Sequence, residues 1–334
     1  MIEIISPHDG FVFDTHTDVQ NEFINRIHTD GIDSALEWLL PIKDGREISY
    51  PRSLTLEWDG EEEFYTLEIS LDKEFTSPFR ITLRDKSYAI ENLYIGTTYY
   101  WRVNDSEIRT FSTLGSAPRF IKIDGVPNVR DIGGGRIKQG ILYRGGELER
   151  CYEITEQGKD TFVNKLRIKT ELDLRLDRIG KLFECPAGDA VDLVQLPYRP
   201  YDEIFEDTHR EGIVRIMEFL SDKSHYPVFF HCLGGADRTG MIALYLRAIA
   251  GESEEEIHTD YELTSLSAYA MGIAEGVRAQ GFRKRTAEYY SGMIDKLREY
   301  APGEDFSHQA VSFLLDCGVS PEILEKIKNI ILEE

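Results

Sequence analysis

Short runs of alternating hydrophobic and polar residues fill the first third of the chain. This alternation predicts strands at residues 53–58, 64–70, 79–83, 98–103 and 108–113. Period-two alternation at this spacing is typical of a β-sandwich. All three tryptophans, Trp38, Trp58 and Trp101, lie in this part of the chain, so we expect it to have a hydrophobic core of its own.

A helical pattern precedes these runs at residues 17–28, where Thr17 and Gln20 have the spacing of a capping box. We therefore expect a helical or irregular segment at residues 1–50 and the sandwich at residues 51–115. The stretch LGSAP at 114–118 has the composition of a linker and indicates a domain boundary.

Strands and helices alternate from Arg119 onward. The sequence predicts buried strands at 170–176, 190–197 and 226–232, an amphipathic helix at 212–220, and a helical tail over 252–334. Ser253 and Glu256 form a second capping box. This alternation predicts an α/β domain over 119–334, with a central, mostly parallel sheet flanked by helices.

The charge of the chain excludes several classes of partner. It has 38 basic and 60 acidic side chains and a net charge of −22, so we expect neither nucleic acid nor an anionic membrane surface to bind it. The N-terminus lacks signal-peptide features, which predicts a cytoplasmic protein. The four cysteines fit neither a metal-ligand spacing nor a disulfide scaffold, so we expect no metal or other cofactor.

The segment over 229–244 carries the candidate chemistry. An apolar strand runs into Cys232, two glycines follow, and an apolar helix begins near Thr239. Such a loop turns N–H groups inward beside a helix N-terminus, so it can bind a phosphate dianion. The same field lowers the pKa of a thiol, which makes Cys232 a nucleophile, and Arg238 offers a planar fork to phosphoryl oxygens. The predicted phosphate-binding residues are Leu233, Gly234, Gly235, Ala236, Asp237 and Arg238.

The pair His231-Cys232, followed by five residues and then Arg238-Thr239, resembles the signature of the cysteine-dependent protein tyrosine phosphatase superfamily. The motifs at 127–134, 143–146 and 172–175 resemble its bacterial tyrosine and lipid phosphatase-like branch, and residues 51–113 resemble a fibronectin type III domain. The first resemblance implies hydrolysis of phosphomonoesters through a phosphocysteine intermediate, with Thr239 assisting the departure of the sulfur.

The resemblance also brings further basic and acidic residues into consideration as lining of the substrate pocket. Arg144 and Arg175 are equally compatible with structural ion pairs, and the glycines after Asp131 with a simple tight turn. The four candidate pocket residues are Arg130, Asp131, Arg144 and Arg175.

Three aspartates compete for the role of general acid, which protonates the leaving oxygen and then activates water. Asp202 occupies the position in the chain where much of the superfamily carries its acid. Asp237 resembles the loop aspartate of the branch and either acts as acid or orients the loop. Asp173 resembles the aspartate of the branch's Asp-Leu-Arg motif. The residues alone leave all three open.

The substrate prediction depends on Ala236, because relatives in this branch often carry lysine there, and that lysine is associated with phosphoinositides. Its absence and the net charge of −22 favour a phosphorylated protein or a small phosphomonoester, most simply phosphotyrosine. Phosphoinositide or inositol polyphosphate hydrolysis, and phosphate binding by a pseudophosphatase or adaptor, remain alternatives. We expect the sandwich to make any protein contacts and, because the linker is short, to pack over the pocket.

Overall fold

The computed structural model describes residues 2–175, 184–268 and 281–333. The strands are β1 (Glu3–Ser6), β2 (Phe11–Phe13), β3 (Leu54–Asp59), β4 (Tyr65–Ser70), β5 (Phe79–Leu83), β6 (Ser87–Ile90), β7 (Thr98–Val103), β8 (Arg109–Thr113), β9 (Arg119–Phe120), β10 (Arg130–Asp131), β11 (Leu142–Gly145), β12 (Thr170–Asp173), β13 (Asp192–Gln195) and β14 (Val228–His231). The helices are α1 (Asp18–Asp30), α2 (Ile32–Lys43), α3 (Glu156–Asp160), α4 (Asp207–Leu220), α5 (Asp237–Ala250), α6 (Glu254–Glu262), α7 (Gly281–Arg298), α8 (Phe306–Asp316) and α9 (Pro321–Ile331). Within these ranges, none of the helices has the length and apolarity needed to span a bilayer.

Two sheets with a shared core form the N-terminal part. One has the strand order β1-β3-β6 and the other β2-β8-β7-β4-β5, and most of their pairs are antiparallel. Trp58 on β3 and Trp101 on β7 are buried in one cluster, as the alternating pattern predicts. The antiparallel sheets agree with the predicted all-β architecture, whereas the fibronectin type III resemblance stays a prediction.

The first fifty residues differ from the expected helical or irregular segment. Strand β1 pairs with β3 and strand β2 pairs with β8, so each sheet gains a strand from the N-terminus. Runs of four and three residues are too short to show periodicity, which is why the pattern did not reveal them. Helix α1 begins after Thr17 with both hydrogen bonds of the predicted capping box, and the second box at Ser253 is also present.

A six-stranded sheet organises the rest of the chain, in the order β13-β12-β14-β11-β10-β9. Strands β13, β12, β14 and β11 are parallel, and β10 and β9 are antiparallel additions. Consecutive residues of β14 contribute to different cores: Phe230 packs in the cluster that includes α4, α5, α8 and α9, and Phe229 packs with Phe162 on the other face. The predicted α/β arrangement is therefore present. The end of the strand predicted at 170–176 and part of the predicted helical tail lie outside the described residues.

The register of the parallel strands brings three strand ends together. His231, the last residue of β14, aligns with Gly145 of β11 and with Asp173 of β12. Because the carboxyl ends of parallel strands share one edge of a sheet, the loop after each strand begins at that edge. The sequence after β14 is the candidate phosphate loop, so this edge is where the site is built.

Arg119 connects the two parts of the chain. Its side chain is 3% exposed, and its Nη1 donates to Asp131 Oδ2 at 2.9 Å. The same guanidinium donates to the carbonyls of Asn92 and Leu93 in the sandwich, at 2.6 and 3.0 Å. These contacts join the two parts of the chain, and they lie at the β9–β10 edge of the sheet. We expected the sandwich to pack over the pocket. The contacts of Arg119 do not place it there, because β11 lies between β14 and the β9–β10 edge.

We predict that Arg119→Met destabilises the protein by about 3–5 kcal/mol, because it leaves the wholly buried carboxylate of Asp131 without its cation. Urea denaturation followed by fluorescence of the tryptophans measures the change. The matched control is Arg84→Met, which breaks the exposed pair with Glu63 and should change stability little. An equal loss in the two variants would contradict the structural role of Arg119.

Candidate active site

The loop between β14 and α5 is held by donors that lie outside it. Every carbonyl from residue 232 to residue 235 accepts a hydrogen bond from a neighbouring element. The bonds run from His231 Nδ1 to Cys232 O (3.0 Å), from Glu147 N to Leu233 O (3.0 Å), from Asn128 Nδ2 to Gly234 O (2.9 Å) and Gly235 O (3.1 Å), and from Arg144 Nη2 to Gly235 O (2.8 Å). In a planar trans peptide the N–H lies opposite the C=O. The N–H groups of residues 233–236 therefore point away from these donors, toward the inside of the loop.

Gly235 permits the curvature of this loop. Its φ of +66° is in the left-handed region, and a Cβ atom there would lie 2.3 Å from backbone atoms of Gly145. Another residue would need both a disfavoured backbone conformation and displacement of β11. The loop thus packs directly against the end of the neighbouring strand.

Helix α5 completes the phosphate-binding site that the amides of residues 233–236 begin, and we call this site the phosphate cradle. It begins at Asp237, two residues before the predicted start, and its N-cap Ala236 offers no side-chain hydrogen bond to the first turn. The N–H groups of that turn and the positive end of the helix dipole face the same region as the loop amides. A phosphate dianion placed there would meet N–H donors from both the loop and the helix.

The Cys232 side chain is 2% exposed and lies at the start of the loop. Burial opposes ionisation of its thiol, but the charge of Arg238 and hydrogen bonds from the hydroxyl and the N–H of Thr239 outweigh that effect and lower its pKa. Within the described residues the Thr239 hydroxyl has no other hydrogen-bond partner. A thiolate is therefore favoured at the bottom of an N–H-lined cradle.

Arg238 differs from the buried arginines near the loop in being accessible from the outside. It is partly exposed, and it forms no salt bridge within the part of the chain that the structure describes. Its guanidinium can thus donate to the oxygens of a bound phosphoryl group.

His231 fixes the backbone at Cys232 by a hydrogen bond to its carbonyl. Its ring is wholly buried, with Nε2 2.8 Å from Glu171 Oε1 and Nδ1 on the Cys232 carbonyl. Burial alone would lower its pKa, but the hydrogen bond and charge of Glu171 raise the pKa of His231 to about 9. The imidazolium donates on both sides, so His231 orients Cys232 through its carbonyl and does not face the cradle.

All four candidate pocket residues are buried and do not line an open pocket. Arg130 and Arg144 are wholly buried, and both bind Asp260 on α6, which also pairs with Arg247. The carboxylate of Asp131 is wholly buried too, accepting from Arg119 and from the N–H groups of Gly133 and Gly140. The tight-turn alternative therefore describes Asp131 better and the ion-pair alternative describes Arg144 better, and Arg130 is likewise held in a structural ion pair.

Arg175, the fourth candidate, is 2% exposed and surrounded by acidic groups. It donates to Asp173 at 2.8 Å and to Glu147 at 2.8 Å, and it pairs with Glu149. Three carboxylates leave its guanidinium no capacity for substrate. Its position supports the turn after β11, which supplies the Glu147 N–H to the loop.

The structure separates the three candidate acids. Asp173 is wholly buried; burial opposes its ionisation, but His231 and Arg175 keep its pKa below the usual value. Asp202 is exposed and forms a salt bridge of 2.8 Å with Lys296 of α7. Asp237 is the first residue of α5, directly after the loop; its charge acts on Cys232, and its Oδ1 accepts a hydrogen bond from the Tyr201 hydroxyl.

Sequence reasoning missed several residues that build the site. Asn128 supplies two loop hydrogen bonds and adopts a φ of +60°, while Glu147, Glu171 and Asp260 provide the other contacts. The available signal was a charged residue in a strand predicted to be buried, as at Glu171. Its partner could not be found that way, because His231 is 60 residues further along the chain.

Thiolate attack on a bound phosphate is the chemistry that this arrangement serves, and it defines the class of cysteine-dependent phosphatases. Comparison with family models agrees with this class. Residues 121–333 match the model described as the tyrosine phosphatase family. That match covers more than half of the chain, which therefore belongs to the tyrosine phosphatase family and is a cysteine-dependent phosphatase.

Solved structures show weaker similarity. The core catalytic domain of the PP-IP phosphatase Siw14 from S. cerevisiae, in complex with citrate, is 16% identical; the match covers 49% of this chain and 91% of that chain, with a TM-score of 0.30. TpbA from P. aeruginosa is 16% identical, with 56% and 90% covered and a TM-score of 0.31. A comparison with curated proteins gives no match. At these scores the two structures do not bear on the substrate of this chain.

We predict that the buried pair of His231 and Glu171 makes stability pH-dependent. Because the folded-state pKa of His231 is raised to about 9 from an unfolded value near 6.5, its contribution is fully present below about pH 6.5 and is lost as the pH rises to about 9. The expected loss is about 2–3 kcal/mol over this window. Urea denaturation at several pH values measures it.

The matched variant for this prediction is Glu171→Gln, which keeps the shape of the side chain but removes the charge that holds the proton on His231. The difference in unfolding free energy between wild type and this variant should shrink as the pH rises through the same window. A difference that is independent of pH would show that His231 is not charged in the folded protein.

Proposed function

We propose that the protein hydrolyses phosphomonoesters through a phosphocysteine intermediate, with Cys232 as the nucleophile. The observation that carries this proposal is the position of the thiol. Its pKa is lowered by the nearby Arg238, and it lies at the start of a loop whose four carbonyls all accept hydrogen bonds from outside the loop. Such a site holds the phosphate and the attacking sulfur in one place.

In the first step the Cys232 thiolate attacks phosphorus. A P–S bond forms as the ester P–O bond breaks, and a general acid gives its proton to the leaving oxygen. Arg238 and the loop N–H groups stabilise the equatorial oxygens throughout. In the second step water attacks phosphorus and loses a proton to the now ionised acid. The P–S bond then breaks, releasing inorganic phosphate and the thiolate, which the Thr239 hydroxyl stabilises by a hydrogen bond.

Asp237 is the general acid in this proposal. Its charge raises the pKa of Cys232, which places it within electrostatic reach of the nucleophile. Asp173 is unsuited to hold a proton near neutral pH, because its pKa is lowered and its oxygens bind Arg175. Asp202 is bound to Lys296 on an exposed segment. Of the three candidates, only Asp237 directly follows the loop that binds the phosphate.

The proposed substrate is a compact phosphomonoester, most simply phosphotyrosine in a protein. Arg130 and Arg144 are buried on Asp260, and Arg175 is bound to Asp173, Glu147 and Glu149, so their guanidiniums are turned toward carboxylates of the interior and not toward the substrate. Ala236 carries no charge. An inositol polyphosphate or a phosphoinositide carries several phosphates and is best served by a broader set of cations than Arg238 provides.

We predict that Cys232→Ser abolishes hydrolysis of an aryl phosphate, measured in the presence of a chelator, and that it retains phosphate binding. Iodoacetate at about pH 6 should inactivate wild type, because the pKa of Cys232 is lowered whereas the pKa of Cys151 is raised by partial desolvation and by the charge of Glu147. Inorganic phosphate should protect against this alkylation. The exposed Cys151 provides the control: Cys151→Ser should keep full activity. Undiminished turnover in Cys232→Ser would exclude the mechanism.

A substrate panel tests the proposed specificity. We expect kcat/KM on a phosphotyrosine peptide to exceed that on a phosphoserine peptide, a phosphoinositide and inositol hexakisphosphate by at least about tenfold, which corresponds to about 1.4 kcal/mol of transition-state stabilisation. Higher kcat/KM on a polyphosphorylated inositol would favour the inositol polyphosphatase alternative. Binding of the phosphotyrosine peptide with no turnover of any ester would favour the pseudophosphatase or adaptor.

A further inference from the structure

A chain of hydroxyl groups reaches the proposed acid from outside the phosphate loop. Tyr201 begins a short 3-10 helix (Tyr201–Phe205), and its hydroxyl donates to Asp237 Oδ1. The hydroxyl of Tyr261 on α6 lies 2.7 Å from the same Tyr201 oxygen. A phenol has one proton to donate, so the bond between the two tyrosines is donated by Tyr261. The direction of the chain is therefore Tyr261 to Tyr201 to Asp237.

Tyr201 is held in an unfavourable backbone conformation in order to reach this position. Its φ is +61°, in the left-handed region that bulky residues rarely adopt. Such strain persists only where the surrounding structure enforces it, and it is concentrated at functional sites. Here the ring stacks on Tyr289 with 6.2 Å between centroids, and the hydroxyl has two partners.

Burial and ring stacking also hold Tyr261 in place. It is 3% exposed, and its ring stacks on Tyr290 with 3.9 Å between centroids. It directly follows Asp260, which binds Arg130 and Arg144 beneath the loop. One turn of α6 therefore supports the loop through Asp260 and the hydroxyl chain through Tyr261.

Tyr201 stays protonated, so its hydroxyl can always donate a hydrogen bond. Burial, followed by the proximity of Tyr261 and Asp237, raises its pKa well above the usual value, so it keeps its proton throughout the working range. Among the described residues, Cys232 is close enough for the charge of Asp237 to act on it, and Tyr261 lies beyond Tyr201. Lys296 of α7 is bound to Asp202.

We propose that Tyr201 is a positioning residue for Asp237, orienting its carboxyl group toward the leaving oxygen and setting the pH at which it ionises. This inference rests on the proposed role of Asp237 as general acid. A hydrogen bond donated to a carboxylate favours the ionised form. Without the Tyr201 hydroxyl, Asp237 is less well oriented and keeps its proton to higher pH.

The test compares Tyr201→Phe, which keeps the ring and its stacking, with wild type on two substrates. Phenyl phosphate needs protonation of its leaving group, and p-nitrophenyl phosphate needs it much less. We expect kcat/KM to fall about tenfold on phenyl phosphate, the effect of one hydrogen bond, and less than about threefold on p-nitrophenyl phosphate. The basic limb of the pH profile of kcat/KM should move to higher pH by about half a unit or more.

Two further variants complete the design. Tyr289→Phe makes the same chemical change on the exposed ring that stacks on Tyr201, and it should leave both the leaving-group dependence and the pH profile unchanged. Tyr261→Phe removes the second hydroxyl and should change both in the same direction as Tyr201→Phe, but less. Thermal melting checks folding, and if Tyr201→Phe is unfolded the decision falls on Tyr261→Phe.

Asp237→Asn separates failure of this inference from failure of the proposed mechanism. If Asp237→Asn shows the leaving-group-dependent loss while Tyr201→Phe retains the wild-type pattern and basic limb, the positioning role of Tyr201 is wrong and the acid assignment stands. If Asp237→Asn loses no more on phenyl phosphate than on p-nitrophenyl phosphate, the acid assignment fails and the inference about Tyr201 fails with it.

Discussion

The site depends on the hydrogen bonds that the four carbonyls of residues 232–235 accept from donors outside the loop. They turn the amides of residues 233–236 inward, and they require donors from β14, from the turn after β11, and from Asn128 and Arg144. A buried guanidinium such as Arg144 is stable only if its charge is compensated, and Asp260 provides the compensation. Buried charged residues outside the loop thus hold the phosphate cradle in shape.

The division of the arginines explains how a protein with a net charge of −22 can accommodate an anion. The interior arginines are bound to buried carboxylates, which leaves Arg238 and the amide dipoles to contact the anion at short range. The acidic exterior is screened beyond about 8–10 Å at ordinary salt. A negative overall charge therefore does not prevent a small phosphate ester from reaching the loop.

Strand β10 connects the sandwich with this site. Its two residues point to opposite faces, as in any strand. Arg130 points to Asp260 and Asn128 beneath the loop, and Asp131 points to Arg119, which is bound to the sandwich. The sandwich thereby supports the catalytic domain from the edge of the sheet, at a distance of two strands from the nucleophile.

The sequence by itself determined the local structure: the strands at 79–83 and 98–103, both capping boxes, and a strand, loop and helix around Cys232. Each is encoded by residues close together in the chain, where periodicity, caps and glycines act. Only the tertiary structure decided the roles of the charged residues, because Arg144 finds Asp260 at a separation of 116 residues. Arg130 and Arg144 thus became loop supports instead of pocket lining, since burial and a distant carboxylate, neither readable from local pattern, determine what a charge can do.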